Sequence, residues 1–286
     1  VGAVLVVGGG IAGMQSALDL AQAGFLVHLV EEKGGIGGWM SRLDKTFPTN
    51  DCAMCILAPK LVEVGRHPNV RLRTSARLLS LEGEAGRFTA TIEDRPRYID
   101  PARCTGCSLC AQWCPVEAVS AYDKGVGDRP AVSALFPQTV PLVYSIDRDA
   151  CIGCGLCAEV CAVHAVDYAQ RPKQEAVRVG AVVLATGFED LPGDIRPEYG
   201  WGRFPNVVTS PQFERILSAS GPYAGEVLRP SDGKHPARIA WLQCVGSRDE
   251  HRGRGYCSSV CCTYATKEAI IAKEHLGRES VECEIF

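Results

Sequence analysis

Two hydrophobic periods alternate along this chain. Val4-Leu5-Val6-Val7 is an unbroken apolar run, the pattern of a strand buried on both faces in a parallel sheet. Ile11 to Ala23 follows a helical period, and Gly24 gives it a C-terminal stop. Phe25 to Val30 reads as a second strand that ends at Glu31. Val182-Val183-Leu184 repeats the strand pattern far downstream, and Arg238 to Gln243 opens a second α/β unit. Ser258 to Leu276 predicts a helix with Ala265, Ala269, Ala272 and Leu276 on one stripe and Gly277 as its stop. Ser280 to Phe286 reads as a strand that places Cys283 in the core. Strand, turn, helix and strand in this order predict an α/β fold with a Rossmann-like parallel sheet. No apolar run reaches the roughly 18 residues of a membrane-spanning helix. The sequence lacks an initiator Met, starts within one strand and ends in another, which reads as trimmed or as one part of a split protein.

The turn after the first strand carries chemistry. Gly8-Gly9-Gly10-Ile11-Ala12-Gly13 fits G-x-G-x-x-G between a strand and a helix. Gly8 allows the tight turn, Gly10 lets backbone approach a pyrophosphate, and Gly13 lets helix and strand pack closely. The N-terminus of that helix, at Ile11 and Ala12, faces the phosphates. Glu31 can accept hydrogen bonds from ribose hydroxyls. A tight turn without a ligand is the alternative. The next segment favours FAD over NAD. Glu31-Glu32-Lys33-Gly34-Gly35-Ile36-Gly37-Gly38, leading into Trp39, resembles the acid and Gly-Gly pair of two-dinucleotide-fold flavoproteins. Ala185-Thr186-Gly187, ending the downstream apolar strand, resembles their second signature; taken alone, that strand also fits plain core.

Composition alters the picture at one point. Apolar content of 46% and charged content of 22% over 286 residues describe an ordinary globular protein. A net charge of −3 points to neither nucleic acid nor anionic lipid. Fifteen cysteines, however, are too many for a typical cytosolic enzyme and too dilute for a disulfide scaffold. They fall in blocks, as metal ligands do.

Cys104-x2-Cys107-x2-Cys110-x3-Cys114-Pro115 is the bacterial ferredoxin run, and Cys151-x2-Cys154-x2-Cys157-x3-Cys161-Ala162 repeats it. In such pairs the fourth cysteine of each run ligates the other cluster. One 4Fe-4S cluster is therefore assigned to Cys104, Cys107, Cys110 and Cys161, and a second to Cys151, Cys154, Cys157 and Cys114. Zinc is the alternative, though zinc sites separate two C-x2-C pairs by a longer loop. Ala162 replaces the second proline. Tyr122 to Val143, rich in proline, reads as a surface loop that touches a partner, or as a simple insertion. So small a module should draw much of its folding energy from metal. Deprotonated ligating thiols imply a reducing cytoplasm.

A third set is Cys244-x12-Cys257-x3-Cys261-Cys262. Cys257 and Cys261, four apart at a helix start, can share a face. Cys244 ends a strand, where open α/β sheets bind ligands. The set suits another 4Fe-4S cluster, zinc, or buried thiols, and one of the adjacent pair can be spare. A pyridine-nucleotide fingerprint is absent here. Cys52 and Cys55 could form a redox disulfide beside a flavin or be unrelated core residues. No Ser-His-Asp set or paired-carboxylate pattern points to hydrolysis.

At this point the sequence resembles the A subunit of heterodisulfide reductase and its relatives. Four features carry the resemblance: Gly8 to Gly13 with Glu31, Cys52-Ala53-Met54-Cys55-Ile56-Leu57-Ala58-Pro59-Lys60, the twin ferredoxin runs, and Tyr256-Cys257-Ser258-Ser259-Val260-Cys261-Cys262-Thr263-Tyr264-Ala265-Thr266-Lys267. The resemblance implies that Cys244, Cys257, Cys261 and Cys262 hold a 4Fe-4S cluster close to FAD. It places the Cys52–Cys55 segment against FAD. It matches Lys267 to a flavin-facing lysine, the alternative being an ordinary exposed helix lysine.

The expected organisation is an FAD domain at 1–95 and 173–232, a 2x(4Fe-4S) ferredoxin module inserted at 96–172, and the start of a truncated second nucleotide-like domain at 233–286. The resemblance further implies an oxidoreductase subunit that relays or bifurcates electrons within a heterodisulfide reductase-like complex. Its partners would be the other subunits and either ferredoxin or a hydrogenase or dehydrogenase donor. The alternatives are an NAD(P)H-oxidising flavoprotein of glutamate-synthase type and a passive relay scaffold.

Overall fold

The computed structural model describes residues 2–277 and 279–286. They form two compact units. The first comprises the chain to Ser41, Met54–Ala118 and Arg129–Gly187; the second comprises Arg42–Ala53, Val119–Asp128 and Phe188–Phe286. Residues 188–232, expected with the FAD domain, therefore cluster with 233–286.

The first unit opens with β1 (Ala3–Val7), α1 (Ile11–Gln22) and β2 (Leu26–Glu31), followed by α2 (Ala53–Arg66) and β3 (Val70–Thr74). β4 (Ala76–Glu84) and β5 (Arg87–Asp94) come next. The cysteine-rich stretch holds only short elements: α3 (Leu109–Gln112), β6 (Glu117–Val119), β7 (Asp128–Pro130), β8 (Val132–Ser133), β9 (Ser145–Ile146) and α4 (Leu156–Glu159). β10 (Lys173–Val179) and β11 (Ala181–Leu184) complete the unit.

β11, β1, β2 and β3 form a parallel sheet in that order, with Val4 opposite Ala181 and Val27 opposite Val70. β10, β5 and β4 form an antiparallel sheet. Alternation along β1 explains the layering. Ala3 and Leu5 face the antiparallel sheet and join Ala90, Ile92, Val177 and Val179 in one core. Met14, Ala17, Leu18 and Ala21, at helical spacing, form the buried stripe of α1. Each fully buried leucine, such as Leu5 or Leu18, contributes about 1.5–3 kcal/mol over an exposed one. The parallel order brings the C-terminal ends of β1, β2 and β11 together, where an α/β sheet binds ligands.

The second unit holds α5 (Ser210–Leu217), β12 (Arg238–Trp241), α6 (Cys261–Leu276) and β13 (Glu282–Ile285). β12 and β13 pair in parallel. Thr209 starts α5 with a reciprocal capping box to Gln212. The expected stripe of α6 packs as read: Ala265 and Ala272 are buried in the core with Phe213, Ile216 and Trp241, and Ala269 and Leu276 pack against it.

Two expectations are corrected. The helix begins at Cys261, not Ser258, because Ser259 adopts a left-handed backbone (φ 61°) that a helix cannot include. Cys257 therefore lies in the preceding loop and shares no helix face with Cys261. Tyr122 to Val143 is not a surface loop. Tyr122, Ala131, Val132, Phe136, Thr139 and Val143 are all buried. Arg42 and Arg215 both stack on the Tyr122 ring at 5.0 Å, and Arg215 donates to Asp123 at 2.9 Å.

Candidate functional site

The glycine turn sits at the C-terminal edge of the parallel sheet. Gly8 has φ 106° and its N–H donates to the Val30 carbonyl at 2.8 Å. A Cβ there would stand 2.2 Å from the Ala185 carbonyl oxygen, so the turn abuts Ala185-Thr186-Gly187. A Cβ on Gly13 would stand 1.8 Å from the Gly8 carbonyl oxygen, which is the helix–strand approach expected of that glycine. Gly10 differs: its nearest neighbour is the Gly38 Cα at 3.9 Å from a built Cβ. A Cβ on Gly38 would in turn stand 2.7 Å from the Gly10 Cα, so the two glycine backbones pack closely while the space beside Gly10 itself stays open as a cradle. Gly10 is the N-cap of α1 and supplies no capping side chain, leaving the first-turn N–H groups of Ile11 and Ala12 suited to an anion.

Glu31 ends β2 inside this turn. Its Oε2 accepts from the Gly9 N–H at 2.7 Å and its Oε1 from the Lys33 N–H at 2.8 Å. A carboxylate has about four acceptor positions, so ribose hydroxyls can be accepted as well. Gly37 donates to the Gly9 carbonyl at 2.8 Å, which ties the second glycine pair to the first turn. Glu32 and Lys33 are exposed, and Trp39 is half-buried. The cradle a Cβ would fill and the uncapped helix start fit a dinucleotide pyrophosphate.

The eight ferredoxin-type cysteines surround two cavities. Cys104, Cys107, Cys110 and Cys161 line one, with Tyr144 and Ile99. Cys114, Cys151, Cys154 and Cys157 line the other, with Tyr168 and Ile146. Each cavity thus takes three thiols from one run and the fourth from the other. Between them lies a core of Ile99, Val132, Val143, Ile146 and Ala165. Burial first, then neighbouring thiols, pushes Cys110 up to about 11. Thiols so crowded need a compensating cation to ionise together, which suits iron–sulfur ligation.

The tyrosines were not signalled by any spacing in the sequence. Burial first, then a hydrogen bond and the charge of Cys157, raises the Tyr168 hydroxyl; the Tyr168 oxygen and Cys157 Sγ lie 3.2 Å apart. Arg97 was also missed. It is buried, donates to the Gly34 carbonyl at 2.8 Å, and is lowered to about 10 by burial against the opposing pull of Cys104.

In the third cysteine set the Cys244 backbone, at φ 57° after β12, lies beside the Cys261 thiol at the start of α6. The Ser258 hydroxyl donates to Cys261 Sγ at 3.3 Å and, as the largest influence, lowers that thiol. The Cys261 charge raises Cys262, with smaller contributions from Cys244 and Cys257. Lys267 lies further along α6 and is buried, so the exposed-lysine reading does not hold. Cys52 and Cys55 flank the start of α2 and are both exposed, which excludes a core role.

Comparison with known proteins bears on these sites. A family described as FAD dependent oxidoreductase matches residues 3–52, and one described as 4Fe-4S dicluster domain matches residues 103–166. An iron-sulfur A subunit of CoB–CoM heterodisulfide reductase from Methanopyrus kandleri is 53% identical over 97% of this chain and 42% of its own length. Its counterpart in Methanocaldococcus jannaschii is 49% identical over 95% of the chain and 41% of its own. The chain belongs to the heterodisulfide reductase A-subunit family.

Within that family, the A subunit of an H2:CoB-CoM heterodisulfide,ferredoxin reductase from Methanothermobacter marburgensis is 50% identical over 95% of this chain and 41% of its own length. The chain thus spans about two fifths of the A subunits it matches. The two matched segments coincide with the glycine cradle and with the two thiol-lined cavities. No helix among the described residues is long and apolar enough to cross a membrane.

Proposed function

We propose that this chain is an FAD- and iron–sulfur-bearing electron-transfer subunit of a heterodisulfide reductase-like complex. The observation that carries the reading is a dinucleotide cradle and two cavities, each ringed by four thiols, within one compact unit. FAD supplies two-electron exchange and the clusters one-electron exchange. Gly8 to Gly13 would hold the pyrophosphate, Glu31 the ribose, and Ala185 to Gly187 the edge of the cofactor beside β11. The two crossed thiol sets would hold two 4Fe-4S clusters, and Cys244, Cys257, Cys261 and Cys262 a third. The relatives' names give H2, heterodisulfide and ferredoxin as reactants. Carried to this chain, they make it the relay between such a donor and partner subunits that meet the disulfide and ferredoxin.

Iron and flavin counts on anaerobically purified protein test the reading. About twelve irons per FAD are expected from three cubanes. About eight would remove the third cluster, and no flavin would overturn the proposal.

A further inference from the structure

Residues 131–146 run between the walls of three sites in the first unit. At one end Ala131 and Val132 line the cavity of Cys114, Cys151, Cys154 and Cys157. At the other, Tyr144 lines the cavity of Cys104, Cys107, Cys110 and Cys161. Between them, Phe136 to Val140 lies on the turn that comes after Glu31. The Ile36 N–H donates to the Val140 carbonyl at 3.0 Å, and the two residues pair as an antiparallel bridge. A Cβ on Gly35 would stand 1.8 Å from Thr139 Oγ1, and one on Gly37 would stand 3.2 Å from Phe136 Cζ. The Val140 side chain closes on α2, where a Cβ on Gly65 would stand 2.7 Å from its Cγ1. Ile36, Phe136 and Thr139 are all buried. The approach is so close that glycine is required on the turn's side.

We propose that Phe136 to Val140 forms a wall of the dinucleotide site, so that FAD and the two ferredoxin-type clusters bind cooperatively through it. This rests on the reading of the cradle as an FAD site and of the thiol sets as cluster sites. The physical basis is anchoring. The ends of the strap pair with each other over two residues as β8 and β9, and the same ends line the cavities, Val132 and Ile146 that of Cys151 and Tyr144 that of Cys104. Metal ligation supplies much of the order of so small a module. Losing the clusters would remove the packing support behind both ends and loosen the strap over the Gly35–Gly37 turn. Linkage makes the effect reciprocal: if clusters strengthen FAD binding, FAD strengthens cluster retention by the same factor.

The test uses the full chain, anaerobically purified and freed of flavin. FAD is titrated into cluster-loaded and iron-stripped protein, with flavin fluorescence as the readout and far-UV circular dichroism as a check on folding. At least a tenfold weaker Kd is expected after stripping. Release of iron to a chelator should slow when FAD is added. Phe136→Ala provides an arm that needs no stripping: it should weaken FAD binding several-fold while the visible absorption of the clusters persists. Equal FAD affinity in loaded, stripped and F136A protein overturns the cooperative wall alone. Failure of every form to bind FAD overturns the underlying FAD reading as well.

Discussion

Lys267 Nζ lies 2.5 Å from Glu214 Oε1, with the two side chains only 4% and 1% exposed. The same amine donates to the Lys45 carbonyl at 3.1 Å, and it sits over the Tyr264 ring. Glu268, next along α6, is fully buried and accepts from Trp241 Nε1 at 2.8 Å. The ammonium therefore pairs with Glu214, while a second buried carboxyl, Glu268, lies beside them with Trp241 as its donor. Burial raises Glu214, against the opposing pull of Lys267. Burial and then the Glu214 charge raise Glu268 well above the usual range.

Removing the amine should be costly and pH-dependent. Deleting one partner of a buried ion pair costs about 3–5 kcal/mol. Both carboxyls are raised in the folded state, so the native protein binds more protons than the unfolded chain and its stability falls as pH rises above the ordinary glutamate range. Lys267→Met exaggerates that fall. Denaturant unfolding should show a larger loss of stability at pH 8 than at pH 5, and adding Glu268→Gln should recover part of the loss at pH 8. A loss that is the same at both pH values would mean that Lys267 does not set the ionisation of either carboxyl between pH 5 and pH 8.

The three fingerprint glycines should fail in different ways. A methyl on Gly8 collides with the Ala185 carbonyl at a positive φ, and a methyl on Gly13 collides with the Gly8 carbonyl. Gly8→Ala and Gly13→Ala should each lower the melting temperature by several degrees, as expected for overpacking of about 1–3 kcal/mol. A methyl on Gly10 meets only the Gly38 Cα at 3.9 Å. Gly10→Ala should therefore melt like the parent without flavin yet bind FAD at least tenfold more weakly. Loss of stability in Gly10→Ala comparable to that in Gly13→Ala would contradict an open cradle.

What the sequence made legible is what is local. The glycine fingerprint spans six residues, and each glycine's role follows from that spacing. The cysteine runs are equally compact, and crossing the fourth ligands requires only the repeat. Longer-range facts were hidden. Ala131, Val132, Phe136 and Val143 follow no helical or strand period, so nothing local marks Tyr122 to Val143 as buried. Their burial comes from partners far along the chain, such as Ile36 for the strap and Arg215 for Tyr122. Ser259 carries no residue-type signal for a left-handed backbone, so the helical pattern alone extends back to Ser258. Lys267 and Glu268 are charged residues on a helix, and only the packing of α5 against α6 makes them a buried trio with Glu214.

Cluster ligation across the two runs has a distinctive signature in iron counts. If Cys161 serves the cavity of Cys104, Cys107 and Cys110, Cys161→Ser and Cys107→Ser disable the same cluster. Each single variant should lose about four irons, and the double variant no more than that. Cys161→Ser combined with Cys154→Ser should lose about eight. The opposite pattern, additive loss with Cys107→Ser but not with Cys154→Ser, would show that each run of four holds its own cluster.

The two cavities differ in one hydrogen bond, and this should separate their potentials. Tyr168 reaches Cys157 Sγ at 3.2 Å, whereas among the described residues Tyr144 lines the other cavity without a hydrogen bond to a cysteine sulfur. A ligating thiolate can only accept, so the Tyr168 hydroxyl would donate. Hydrogen bonds to cluster sulfurs stabilise the added negative charge of the reduced state and raise the reduction potential. Tyr168→Phe should therefore lower the potential of one cluster in a spectroscopic redox titration and leave the other in place. Tyr144→Phe, which removes no bond to sulfur, should move neither cluster by a comparable amount. Equal shifts in the two variants would trace the effect to packing around the cavities, because the ring is kept in both and only one of them loses a donor to sulfur.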